Sequence, residues 1–425
     1  MGPLATYHRV NHIMMPSTEN TDPRTATVAL MHFAVAFAFL LLGVVALGWN
    51  TPRITSGQIV DPRVVGGLHL LTLGWVSTAI FGALQVFTSV ALGSALLSRW
   101  LGVATLVVWA AGTLGLASGM TLGKPFIIGI GATLLGLGIV LFSINLIPGL
   151  WRASHGGMTR ILLASALVSL WITWLIGAAR AWEWAGTPVL TMPANYLPAH
   201  ILVAVFGWAG ATVVGVGLHL IPMFALAEDA SSWALRWSVP LWVAIPFTVV
   251  AGAWGHPFFL TLGWGCAAAA STLWVIQVAI FLRARIRPDI GWGLGMATVA
   301  TLMLFLAWPA YWLGAGAVFF VGLLIVGWLV LFTLGIFHRI IPFLVWYRCF
   351  SMPKRIMRPP RVRDMTNSRL EAFTAIAATS GILLWIIGVA LGQGALAWLG
   401  VALLIVGSFA ALGQLRWLVG GFRAK

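Results

Sequence analysis

Gly67-Leu-His-Leu-Leu-Thr-Leu-Gly-Trp75, Pro198-Ala-His-Ile-Leu-Val-Ala-Val-Phe-Gly-Trp208 and Phe320-Val-Gly-Leu-Leu-Ile-Val-Gly-Trp328 decide the fold. Each run is apolar, contains no Lys, Arg, Asp or Glu, and closes on a Gly-Trp pair: Gly74/Trp75, Gly207/Trp208 and Gly327/Trp328. Seven residues past each tryptophan stands another glycine, at Gly82, Gly215 and Gly335. Fourteen past the second and third tryptophans stand Pro222 and Pro342. A motif that returns in this form marks an internal repeat.

The rest of the chain sets its period. Of the 425 residues, 60% are hydrophobic and only 8% charged, and the mean hydropathy is +0.99. A water-soluble domain cannot bury so much apolar surface, so the chain reads as an all-α polytopic membrane protein. Twelve segments are long enough to span: 27–48, 64–92, 98–118, 125–149, 160–181, 196–224, 235–253, 257–282, 291–312, 315–347, 370–391 and 395–420. Backbone in lipid must satisfy its own hydrogen bonds, so all twelve are predicted helical. The Gly-Trp motif falls in the second, sixth and tenth, which predicts a four-helix unit used three times in a pseudo-threefold arrangement. Residues 1–26 read as a polar cytoplasmic tail and 27–425 as a single membrane domain.

A formal net charge of +15 invites a nucleic-acid reading, which the distribution of charge excludes. With the first residue inside, only Arg53, Arg63, Lys124 and Arg180 of the 24 Lys and Arg fall outside. This is the positive-inside bias of a protein in the cytoplasmic membrane of a bacterium, with both termini in the cytoplasm. The inner loop from Arg348 to Arg369 is the richest in cations and reads as a topology anchor near anionic lipid. The outer stretch Trp182-Glu183-Trp184 reads as membrane rim, with docking of a periplasmic electron-transfer protein as the sharper alternative. The two cysteines, Cys266 and Cys349, form neither a CxxC nor a CxxCH motif, so any haem is held non-covalently.

The nine carboxylates all lie in tails, loops or helix ends. Pumps and ion-coupled transporters keep acids within the membrane, so this placement weighs against both. Histidine remains as the chemistry-bearing side chain, because neutral imidazole ligates haem iron and copper. His69 and His200 form an outer layer on repeat-related helices, with His256 in a tight turn above. His32, His219 and His338 form an inner layer, where a metal site competes with a structural reading as helix-end caps.

Twelve helices, the three-by-four repeat and a histidine near the outer start of helix two resemble subunit I of the haem-copper oxidase superfamily. The run from His69 to Trp75 and the segment from Ala199-His200 to Trp208 are similar to a divergent branch. That branch is related to C-type oxidases and to nitric-oxide-response membrane proteins. The resemblance implies that His69 binds a low-spin haem and that His200 is a copper ligand. Other family positions differ. Helix seven has no histidine, the outer start of helix ten carries Phe320 and Gly322, and Ala204 stands where one branch has its active-site tyrosine. A binuclear oxygen-reducing centre is therefore not expected.

The resulting expectation is a membrane protein binding one haem b, or two, through His69 and His200, with copper lacking a full ligand set. Its role would be electron transfer or nitric oxide handling without oxygen reduction, in the lipid bilayer, alone, as a homo-oligomer or with partner subunits. Two alternatives stand beside it: a cofactor-free structural or assembly subunit, and a transporter of metal or small solutes using His32, His219 and His338.

Overall fold

A computed structural model describes residues 24–94, 96–153, 156–227, 232–286, 288–350 and 360–423. Among them are twelve helices long and apolar enough to cross a membrane: α1 (Arg24–Thr55), α2 (Pro62–Ala91), α3 (Arg99–Leu122), α4 (Pro125–Arg152), α5 (Gly157–Trp184), α6 (Tyr196–Ala225), α7 (Trp233–Trp254), α8 (Phe258–Arg283), α9 (Gly291–Trp312), α10 (Ala317–Phe350), α11 (Ser368–Ala390) and α12 (Gly394–Leu418). Each lies on a segment expected from hydropathy. His8, His12 and His155, and Lys354, Arg355 and Arg358 of the basic loop, lie outside the described residues.

Two outer ends differ from expectation. α1 continues into the loop expected at 49–63, because side chains satisfy its final carbonyls. Thr55 donates to Pro52 O and Ser56 to Arg53 O, while Asn50 reaches across to Arg63 O. α5 similarly takes in Trp182, Glu183 and Trp184, where Arg180 and Glu183 pair at 2.7 Å one turn apart.

The repeat now has a mechanical meaning. α2, α6 and α10 are the most enclosed helices, with 78%, 89% and 72% of an 18-residue apolar stretch of each buried against 39–56% for the others. They form the inner ring. Each unit's first helix packs onto its second through the two repeated glycines, which let backbones approach as transmembrane helices require. A Cβ on Gly74, Gly207 or Gly327 would come within 2.6, 2.7 or 2.8 Å of Phe39 (α1), Ser169 (α5) or Met303 (α9). One on Gly82, Gly215 or Gly335 would come within 2.7, 3.2 or 2.6 Å of His32 (α1), Leu162 (α5) or Gly293 (α9).

Each central helix also contains a π-helical stretch around its Gly-Trp pair: Leu70–Ser77, Val203–Gly210 and Gly322–Val330. Such widened turns are rare and concentrate at functional positions. The tryptophans then link the ring. Trp75 donates from Nε1 to Val330 O at 3.3 Å, and Trp208 to Ser77 Oγ at 3.0 Å. Both acceptors sit two residues past the tryptophan of their own repeat. The corresponding residue on α6 is Gly210, with Trp242 packed against it. The Trp328 indole N–H has no partner among the described residues.

The third and fourth helices of each unit form hairpins, and a buried amide closes the inner end of each. Asn145 on α4 accepts from Ser98 N at 2.9 Å, Gln277 on α8 from the Ser232 hydroxyl, and Gln414 on α12 from Asn367 N at 3.2 Å. Ser98, Ser232 and Asn367 are the N-cap residues of α3, α7 and α11. The fourth helix of every unit therefore anchors the cap that starts the third.

Candidate functional site

The outer histidines meet. The His69 and His200 ring centres lie 6.4 Å apart with their planes inclined by 35°. Each sits just outside its helix's π-helical stretch, His69 directly before Leu70 and His200 three residues before Val203. His69 Nδ1 is 2.8 Å from Val65 O. Only a protonated Nδ1 can donate there, so the Nε2 lone pair is left free to ligate.

His200 lies against α5: a Cβ on Gly177 would come within 3.2 Å of His200 Cε1, a tight contact that a shift of a few tenths of an ångström would relieve. Both rings keep part of their surface uncovered.

One turn outward from Gly177 and His200 stand Arg180 and Tyr196. The Arg180 guanidinium stands 5.0 Å from the Trp184 ring centre and 5.4 Å from that of Tyr196, in addition to its ion pair with Glu183. This group was not marked by the sequence: Gly177 and Arg180 belong to no repeat and to no recognisable spacing. Their helical relation to each other emerges only once α5 is seen against α6.

Two imidazoles that share one metal ion, each bonded at about 2 Å, have ring centres roughly 5–6.5 Å apart. His69 and His200 fall in that range. The tautomer imposed on His69 suits the same purpose. His69 and His200 are therefore the residues on α2 and α6 that would hold a metal ion such as haem iron. Copper of the family kind finds less support, since no group of three His, Cys, Asp or Glu side chains converges among the described residues.

The inner histidines are separated. His32 is fully buried, with Nδ1 2.9 Å from Val28 O and its Cβ near Gly82 on α2. His219 meets the Thr159 hydroxyl of α5 at 3.2 Å and the edge of Phe87. His338 is buried with its Cβ near Gly293 of α9. They share a depth but lie in different clefts. His256 is exposed, and its Nδ1 accepts from Phe258 N at 3.2 Å, as a turn residue would.

One acid is less peripheral than its helix-end position suggested. Glu371 starts α11 but is only 4% exposed. It accepts from Gly293 N at 2.9 Å and stands 3.9 Å from Arg339, which also donates to Ile290 O at 2.6 Å. The pair ties α9, α10 and α11 together at the inner face. Sequence position locates a residue along a helix but not whether neighbouring helix ends enclose it.

No family model matches the sequence, and no curated protein matches it. Among solved structures, a chain of a haem-copper terminal oxidase dimer determined by cryo-EM superposes with a TM-score of 0.69. The match covers 94% of this chain and 85% of that one at 13% identity. The fold is that of a haem-copper oxidase. At such identity the likeness is one of architecture, and it agrees with the twelve-helix, three-unit arrangement built from the glycines, tryptophans and amide anchors.

Proposed function

We propose that this chain is a membrane haem protein in which His69 and His200 jointly hold the iron of one b-type haem. The observation that carries the reading is their 6.4 Å ring separation across two helices of the inner ring. When bound, haem supplies one-electron chemistry. The chain's own residues prepare its place. Val65 fixes the tautomer of His69, Gly177 lies against the His200 ring, and Arg180 and Tyr196 stand one turn further out.

The pairing also chooses between the two roles the sequence left open. If both imidazoles bind one iron, no axial position remains for gas, which favours electron transfer over nitric oxide handling at this site. It also departs from the assignment implied by the family resemblance, in which the two histidines serve separate centres. The outer position suits exchange of electrons with a periplasmic partner. The membrane and topology are those of a bacterial cytoplasmic membrane protein with both termini inside.

The test is a pyridine haemochrome assay on purified protein, with His69→Ala and His200→Ala beside it. The reading expects one haem b per chain, reduced at least tenfold in either variant. Protein that folds, is purified from haem-replete cells and has no Soret band would exclude it. It would leave the cofactor-free subunit as the better account.

A further inference from the structure

The inner end of the first unit carries charge that nothing balances. Residues 62–182 contain no Asp or Glu. Arg99, Arg152 and Arg160 stand at the inner ends of α3, α4 and α5, and all three are exposed. Among the described residues none of them pairs with a carboxylate. The third unit differs, since Arg339 at its inner end has Glu371 beside it.

The hairpin brings these cations to one level. The bond from Ser98 N to Asn145 sets the start of α3 level with Asn145. α4 runs on to Arg152, about 10 Å further along its axis. Side chains on a helix lean towards its N-terminus. α3 starts at this end and α4 finishes at it. Arg99 therefore leans towards the inner surface and Arg152 back towards the membrane, so their guanidiniums approach a common depth. Arg160, in the first turn of α5, donates to Ala153 O at 3.0 Å, next to Arg152.

Aromatic and apolar side chains continue the surface into the membrane. Trp100 is 68% exposed and Trp151 86%, the latter the most exposed tryptophan among the described residues. The Arg99 guanidinium stands 5.4 Å from the Trp100 ring centre. Indoles of this kind sit at headgroup level. Beyond them run two exposed stripes, Val107 and Leu114 on α3 and Ile147 and Ile144 on α4. The helices between the stripes are in backbone contact. A Cβ on Gly112 would stand 2.8 Å from Leu135 N, and one on Gly119 2.8 Å from Ile128 N. The stripes therefore lie side by side, as neighbouring tracks for two acyl chains.

We infer that the inner end of the α3–α4 hairpin is a binding site for an anionic phospholipid. Arg99, Arg152 and Arg160 take the headgroup phosphate, for which the guanidinium fork is well shaped. Trp100 and Trp151 flank the glycerol region, and the acyl chains follow the stripes. A soluble anion would use the arginines but not the stripes. A zwitterionic lipid brings its own cation to a place that already has three. The site uses neither His69 nor His200, so it stands whether or not the haem reading does.

Native mass spectrometry of the purified full chain, titrated with dioleoyl phosphatidylglycerol or dioleoyl phosphatidylcholine, tests it. The expected result is one phosphatidylglycerol bound roughly tenfold or more tighter than phosphatidylcholine, with the preference lost in Arg99→Gln combined with Arg152→Gln. Arg283→Gln, which removes an exposed cation from the inner end of α8, should leave that preference unchanged. If the double variant fails to fold, Arg152→Gln alone carries the comparison and should weaken binding severalfold. Equal binding of the two lipids, a preference that survives loss of the arginines, the same loss in Arg283→Gln, or displacement of the lipid by inorganic phosphate would overturn the inference.

Discussion

Replacing the three repeated glycines one at a time by alanine should give three different outcomes. At Gly335 the new Cβ would stand 2.6 Å from Gly293 O and 2.8 Å from Ala297 N, both backbone atoms of α9. Carbon needs about 3.5 Å at ordinary contact, so α9 must retreat by roughly 0.9 Å. Overpacking of this kind costs about 1–3 kcal/mol, and a rigid backbone neighbour places it near the top. Alanine's better helix propensity returns up to about 1 kcal/mol. The net loss is about 2 kcal/mol, a factor of roughly 30 in the unfolding equilibrium. At Gly215 the nearest atom is a side-chain carbon, Leu162 Cβ, at 3.2 Å. A shift of a few tenths of an ångström relieves it, and the propensity gain brings the net close to zero, within about 0.5 kcal/mol. Gly82, 2.7 Å from His32 Cβ and 3.2 Å from Ala29 O, should fall between them. Reversible unfolding in mixed micelles, followed by tryptophan emission, measures all three. Equal losses, or a Gly335→Ala protein as stable as the parent, would refute the packing argument.

Other substitutions test other links. Trp75→Phe and Trp208→Phe should each cost about 1 kcal/mol beyond the lost ring area, because each breaks a buried hydrogen bond. Trp328→Phe should cost less, since its indole N–H has no partner among the described residues; the same unfolding assay reads the difference. Asn145→Leu should loosen the inner turn before α3, with faster hydrogen exchange at Ser98 N, because the carbonyl accepting that N–H at 2.9 Å is gone. Glu371→Ala leaves Arg339 half-enclosed without its acid and should cost about 2 kcal/mol, less than for a fully buried pair because Arg339 keeps some solvent. Arg339→Leu combined with Glu371→Leu should recover part of it.

Much of the architecture was readable before any coordinates. The Gly-Trp pairs and the glycines seven residues on pointed to the three central helices, because close helix approach in lipid leaves a small-residue pattern in the chain. The π-helical stretches could not be read, since a widened turn leaves the apolar composition unchanged. The amide anchors were visible only in part. Asn145, Gln277 and Gln414 are polar residues in apolar helices, but their partners are cap residues fixed by hairpin geometry. His69 and His200 could be placed at one depth by counting residues. That they face each other depends on the rotation of α2 and α6, which helical periodicity in an all-apolar segment does not define. The inner histidines show the same limit in reverse, sharing a depth while packing into separate clefts.

The central claim is that two imidazoles from different repeats grip one iron. Electron paramagnetic resonance of the oxidised, purified protein tests it most directly. The account predicts a low-spin ferric signal of bis-imidazole type, converted to high spin or abolished in both His69→Ala and His200→Ala. A high-spin signal in the parent protein, or a low-spin signal that survives loss of either histidine, would contradict it.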